Sequence, residues 1–391
     1  MILSLLLLLL VFVVSFHFFG LKPSTNSIEL NLPPSPPRFP ITGNLHQLLG
    51  TATLPHGSLQ ALSKKYGPLM YMHLGYSPTL VVSSAEIARE IIKNHDIVFS
   101  NRPKTTAANV FLYGCQDIGF SPYGEYWRQA RKTCVLGLLS TRNVKSLQAE
   151  EETAGKCNKF GELSRRILVQ FVSFSFGDML PYLGWLDVVT GLIGRLTASS
   201  REVDVLFDQV IEKHRISGSD DDHPNRKDLD MFVGGTETTS TTVEWAMAEL
   251  ISSASSSFGS SRDTSINLRG YDIPARVTVY LNAWAIQRDP KVWKRAEEFL
   301  PERFMNNTVD FKGQDFEFIP FGAGRRGCPG MSFALAAVEY LLTNLLYYFD
   351  WKLPDVAADE SLDMTEVHGL TVHKKFPLLL VPALYSPKLM M

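Results

Sequence analysis

Apolar side chains recur every three to four positions in several stretches of the chain, the period of a helix with one buried face. Residues 57–66 and 85–94 follow it, and Ser83 or Ser84 stands where the second helix needs a cap. Met70–Leu74 and Thr79–Ser83 are short apolar runs flanking Gly75–Pro78, which predicts two strands around a turn. Residues 101–122 hold scattered aromatics and no period, so they read as a loop, and helix returns over Gly124–Leu139. Residues 150–225 are mostly helical in pattern, ending in the acidic loop Ser217–Asp228. The pattern predicts a strong helix over 229–251, a hairpin over Arg269–Ala283, a long apolar helix over Gly330–Asp350 and strand pairs over Gly369–Val381, while the serine-rich Ser252–Asp263 carries no periodicity. No internal repeat is present. The sum is a mainly α body with minor β.

The amino terminus departs from this pattern. Met1–Leu21 contains no Asp, Glu, Lys or Arg, and about twenty apolar residues in a helix span the hydrocarbon core of a bilayer. A cleaved signal peptide would carry a basic start and a small-residue cleavage site. Neither is present, so residues 1–21 read as a retained transmembrane anchor. Residues 22–44 read as a hinge, because Leu32–Pro40 places five prolines in nine positions and proline stiffens the chain into an extended spacer. Lys22 and Arg38 favour a cytosolic side for the body that follows, residues 45–391.

Composition narrows the function classes. The chain has 391 residues, 45% apolar and 20% charged, with a net charge of −2. Disorder is excluded by that apolar fraction, and a nucleic-acid partner by the lack of basic excess. The four cysteines, Cys115, Cys134, Cys157 and Cys328, form no CxxC pair and suit a reducing compartment.

One of them carries the sharpest signal. Phe321–Gly330 reads FGAGRRGCPG, a glycine-rich loop that presents Cys328 just before a long helix. Helix N-termini favour a thiolate. Gly324, Gly327 and Gly330 allow backbone to approach a flat ligand, Arg326 suits an acidic group on its edge, and Phe321 suits a shield beside the sulfur. A second signal is Asp230–Ser240, DMFVGGTETTS. Two glycines inside a helix are costly, which points to a local groove. Asp230, Gly234 and Thr238 are spaced by four and share a face, so that face suits a small ligand, with the Thr238 hydroxyl as a hydrogen-bond partner and Glu237 as a proton relay. A third is WRQARK, in which Trp127 and Arg131 share a helix face; Arg128 and Lys132 suit either an acidic electron donor or solvent.

These motifs resemble the cytochrome P450 family of haem-thiolate monooxygenases. Phe321–Gly330 matches every fixed position of F-x-x-G-x-R-x-C-x-G, and Gly234–Thr239 matches the oxygen-helix pattern [AG]-G-x-[DE]-T-[TS]. The resemblance implies a cytochrome P450-like fold with haem b as cofactor and Cys328 as the axial iron ligand. Phe321, Arg326, Trp127, Arg131 and Arg262 would surround the haem, the last three through its propionates and Arg326 by its place in the loop. Thr238 and Glu237 would deliver protons to bound dioxygen. Phe111, Tyr113, Asp230, Gly234, Leu370 and Thr371 would line the substrate pocket. Electrons would come from NADPH through a flavoprotein reductase, the substrate would be a small apolar plant secondary metabolite, and the protein would sit in the endoplasmic reticulum membrane as a single-pass protein facing the cytosol.

The chain also departs from the family. Members run to roughly five hundred residues, so several core segments are missing here. Where the family has helices and an E-x-x-R motif, only Leu250–Arg262 remains. Arg303 of PERF thereby loses the carboxylate it would meet, and the strings Glu86–Arg89, Glu125–Arg128, Glu162–Arg165 and Glu212–Arg215 all fall upstream of the oxygen helix. Two further readings therefore stay open: an anchored remnant poor in haem, and a haem-dependent dehydratase or isomerase.

Overall fold

A computed structural model describes residues 30–49, 54–139, 157–216, 229–249, 258–261, 266–305, 307–354 and 362–384. The anchor at Met1–Leu21 and the acidic loop Ser217–Asp228 lie outside the described residues. In chain order the main elements are α1 (Pro55–Tyr66), β1 (Leu69–Leu74), β2 (Ser77–Val82), α2 (Ala85–Asn94), α3 (Thr106–Phe111), α4 (Glu125–Thr133), α5 (Cys157–Phe171), α6 (Leu192–Ile216) and α7 (Leu229–Glu249). They are followed by β3 (Phe258–Ser261), β4 (Ile266–Leu268), β5 (Tyr271–Ile273), β6 (Thr278–Leu281), α8 (Met331–Tyr348), β7 (Phe349–Lys352), β8 (Glu366–Val367), β9 (His373–Lys374) and β10 (Val381–Leu384).

The principal sheet has the order β1-β2-β6-β3. β1 and β2 form an antiparallel hairpin, with Leu69 opposite Val82. The turn needs glycine: Gly75 has φ +63°, and a Cβ there would lie 2.2 Å from the Met179 carbonyl oxygen. β6 runs parallel to β2 and β3 antiparallel to β6. Alternation along the strands sends two sets of side chains to opposite faces. Leu69, Tyr71, Leu80, Val82 and Val279 pack on Ile87, Ala88 and Ile91 of α2. Met70, Met72 and Val81 pack on Leu59, Leu62 and Tyr66 of α1.

A second core is helical. Ala107, Ala108 and Phe111 of α3 meet Leu163, Ile167 and Leu168 of α5 and Leu192, Leu196 and Val203 of α6. α8 differs from the rest. It is strongly apolar and packs against α7 and β7, yet none of its residues is fully buried.

Three expectations change. The stretch 101–122 is not all loop, because the Thr105 side chain accepts from the Ala108 N–H and caps α3. Part of the serine-rich stretch is strand β3, whose serines join the sheet by backbone pairing with β6 and need no apolar period. The expected hairpin over Arg269–Ala283 is instead β4 with β5, and β6 leaves it to join β2. Helix over Gly124–Leu139 is α4 followed by a π turn at Cys134–Leu138.

Leu80 is fully buried at the centre of the sheet. Leu80→Ala is expected to lower unfolding free energy by about 2–5 kcal/mol, read as a fall in the urea midpoint at constant slope.

Candidate active site

The cysteine loop is shaped by local hydrogen bonds. Gly322 N–H donates to Ile319 O at 3.0 Å, Gly327 N–H to Gly324 O at 3.0 Å and Cys328 N–H to Phe321 O at 2.8 Å. Gly324 has φ +68°, and a Cβ there would come within 2.6 Å of Ile92 Cγ2, so the loop lies directly on α2. Asp96, just past α2, takes Arg325 Nε at 2.8 Å. α8 begins at Met331, and its first turn closes with Ala334 N–H donating to Gly330 O at 2.8 Å. Cys328 is therefore held at a helix start, and solvent reaches it. Partial burial pushes its thiol above the ordinary value, while the Gly330 N–H and the Arg131 charge pull it back. Phe321 sits edge-on to Phe311, with ring centres 6.3 Å apart.

Beside the cysteine, cations gather around one indole. Trp127 is buried and donates its Nε1–H to Ile118 O at 2.9 Å. The Arg326 guanidinium lies 4.3 Å from its ring and that of Arg131 5.4 Å. Arg131 donates to Gly327 O at 2.6 Å, which ties α4 to the cysteine loop. Arg326 donates to the carbonyls of Ser100, Ile118 and Ser121. Burial, then the like charges of Arg102 and Arg131, lower Arg326 to about 10, with Asp117 opposing them. Arg102 was not anticipated from sequence; nothing in the local pattern of SNRPK marks it, and the fold alone brings it beside the other two.

α7 sends neighbouring residues in different directions. Thr238 is exposed, whereas Glu237 is 4% exposed. Thr239 Oγ1 donates back to Gly235 O at 2.7 Å and Thr242 Oγ1 to Thr238 O at 2.6 Å, bonds that bend helices. A Cβ at Gly235 would meet Phe333 at 3.5 Å, so the glycine pair seats α7 against the first turn of α8, close in sequence to Cys328. Glu237 lies 3.4 Å from Arg165 of α5, whose Nη2 lies 3.7 Å from Glu244. Burial raises the Glu237 carboxyl above its usual range, and Arg165 opposes that rise. Arg165 was missed as a site residue, because its E-x-x-R string offers a nearer partner in Glu162.

The expected substrate residues are spread. Phe111 is in the helical core, its ring tilted against that of Phe171 with centres 5.0 Å apart. Tyr113 is exposed and its hydroxyl donates to Asp204 of α6. Leu370 is exposed and Thr371 half-buried, and the Leu370 N–H donates to Leu168 O of α5 at 2.9 Å. Asp230 and Gly234 lie on α7, with side chains outside the described residues, and Arg262 is outside them altogether. Arg303 donates to the carbonyls of Leu300, Arg295 and Glu298 and lies over Trp293, and, after the Arg295 hydrogen bond, its charge helps lower the exposed Glu298 carboxyl.

This donor set fits haem. Three guanidiniums set against one buried carboxylate leave excess positive charge suited to two propionates, and a cysteine beside a helix start suits a soft metal. The comparisons agree. The cytochrome P450 sequence profile matches residues 33–162 and 261–381. A phenylacetaldehyde oxime monooxygenase of Prunus mume is 40% identical over 485 residues, covering 94% of this chain and 91% of the relative. Cytochrome P450 71A1 of Persea americana is 41% identical over 458 residues, with 87% and 91% covered. A costunolide synthase of Lactuca sativa is 35% identical over 479 residues, with 95% and 97% covered. A zebra fish cytochrome P450 solved with progesterone shares the fold, with a TM-score of 0.61, 22% identity and coverage of 85% of this chain and 100% of that one. The chain belongs to the cytochrome P450 family of haem-thiolate monooxygenases, which take electrons from NADPH. An alignment of 485 positions exceeds the 391 residues of the chain, so the relative has interior segments absent here.

Arg326→Lys keeps the charge but loses the fork that reaches three carbonyls. It is expected to destabilise the chain by about 2 kcal/mol or more, since bonds to charged groups contribute roughly 1.5–3 kcal/mol each. Thermal unfolding within error of wild type would contradict this placement.

Proposed function

We propose that the chain is a membrane-anchored monooxygenase that inserts one atom of dioxygen into a small apolar plant secondary metabolite. The other atom leaves as water, with two electrons from NADPH passed through a flavoprotein reductase. The observation that carries this reading is the placement of Cys328 at the start of α8 beside the Arg102, Arg131 and Arg326 cluster. Cys328 would hold the iron of haem b, and Trp127, Arg131, Arg326 and Arg262 would bind or back its propionate edge. Bound haem supplies the activation of dioxygen, and a thiolate ligand favours O–O cleavage.

The remaining work falls to the chain. Gly330 N–H and Arg131 stabilise the thiolate of Cys328. With haem bound, Phe321 would shield the sulfur, which is otherwise exposed. The Thr238 hydroxyl holds a proton near the oxygen, resupplied through Glu237. Of the expected substrate residues, Asp230, Gly234, Leu370 and Thr371 would bound the region where the substrate sits, whereas Phe111 is packed in the helical core and Tyr113 is held by Asp204. The names of the relatives, a phenylacetaldehyde oxime monooxygenase and a costunolide synthase among them, support a small plant metabolite. Met1–Leu21 would anchor the protein in the endoplasmic reticulum membrane with the body in the cytosol; among the described residues no helix is long and apolar enough to cross a membrane.

A second reading, a chain that retains little haem, rests on Arg303, whose side-chain hydrogen bonds among the described residues go to backbone carbonyls and not to a buried carboxylate. The haem-to-protein ratio of the purified chain separates the two. For the first reading, the ferrous carbon monoxide complex is expected to show the thiolate band, and Cys328→Ser is expected to abolish both the band and NADPH-dependent product. A thiolate band that survives the substitution would remove Cys328 from the role.

A further inference from the structure

The hydrogen bonds around Glu237 extend beyond the site. Arg165 of α5 reaches Glu237 at 3.4 Å with Nε and Glu244 at 3.7 Å with Nη2. Glu244 Oε1 in turn accepts the Leu378 N–H at 3.0 Å. One residue further along α7, Trp245 Nε1–H donates to Val372 O at 3.0 Å. The Leu370 N–H donates to Leu168 O, back on α5. A single guanidinium thus joins two helices and the segment from Leu370 to Leu378. The Glu237 Oε1 is buried and receives no well-aligned hydrogen bond among the described residues. Burying a carboxylate without such a bond is costly, so stability alone does not account for its presence.

We propose that Arg165 is a positioning residue for proton delivery, bridging Glu237 and Glu244 so that the proton-carrying carboxylate is tied to the Leu370–Leu378 segment. The proposal rests on the monooxygenase reading. Thr238 is exposed on α7 while Glu237 turns into the protein toward α5. To pass a proton to the Thr238 side, Glu237 has to leave Arg165. Glu244 holds the same guanidinium through its other nitrogen and also accepts the Leu378 N–H, so Arg165 couples Glu237 to that segment.

The charged groups facing Glu237 set the sign of its pH response. Arg165 on α5 favours its ionised form and Glu244 on α7 disfavours it. His373 on β9 feels both Arg165 and Glu244, and burial keeps its titration below the ordinary histidine range. Removing Arg165 leaves burial and Glu244 in control, so Glu237 keeps its proton to higher pH.

The test compares wild type, Arg165→Gln and Arg165→Lys as full-length chains. By hydrogen exchange, the Leu378 amide of Arg165→Gln is expected to exchange roughly tenfold faster, with Arg165→Lys between it and wild type, as loss of one protecting contact implies. On haem-loaded protein, product formed per NADPH consumed is expected to fall in Arg165→Gln, its pH dependence to move to higher pH, and Arg165→Lys to restore most of both. Unchanged Leu378 exchange, or a lowered yield with an unmoved pH dependence, would overturn the proposal. The exchange experiment needs no haem, so a wild-type chain without the thiolate band would defeat the monooxygenase reading and leave the bridging by Arg165 to be decided separately.

Discussion

The geometry of the site depends on one constraint, the fastening of the cysteine loop to the residues between α2 and α4. Gly324 lets the loop lie on Ile92. Asp96 takes Arg325, and Arg326 fills the space among the carbonyls of Ser100, Ile118 and Ser121. These groups are more than two hundred residues apart in sequence, and each contact is charge-assisted. The loop therefore does not depend on packing of its own small residues. It is pinned from outside, and Cys328 inherits its position from those pins.

The same clustering explains the charge at the site. Arginines crowd together only where something lowers the cost of their repulsion. Here the Trp127 face and the backbone carbonyls do part of that, while burial, and after it the like charges of Arg102 and Arg131, still lowers Arg326 to about 10. An anionic ligand would remove the remainder, which is why the cluster fits haem propionates better than it fits a purely structural role.

α8 lacks such fastening. It is strongly apolar yet has no fully buried residue. An apolar helix in that state contributes less burial free energy than its composition allows. The site is thus well held on the α2 and α4 side and thinly covered on the α8 side.

Local chemistry was legible in the sequence. The loop at Phe321–Gly330, the glycine pair and Thr238 on α7, the pairing of Trp127 with Arg131 and most helices follow from spacing, because those features depend on residues a few positions apart. The short cap at Thr105 and the strand at Phe258–Ser261 did not, since the first needs one side-chain hydrogen bond and the second needs β6 as a partner. Arg102 beside Arg326, and Arg165 between Glu237 and Glu244, were decided only by the tertiary structure. Charges act through space, and no periodicity in the chain records which distant guanidinium comes to rest beside which carboxylate.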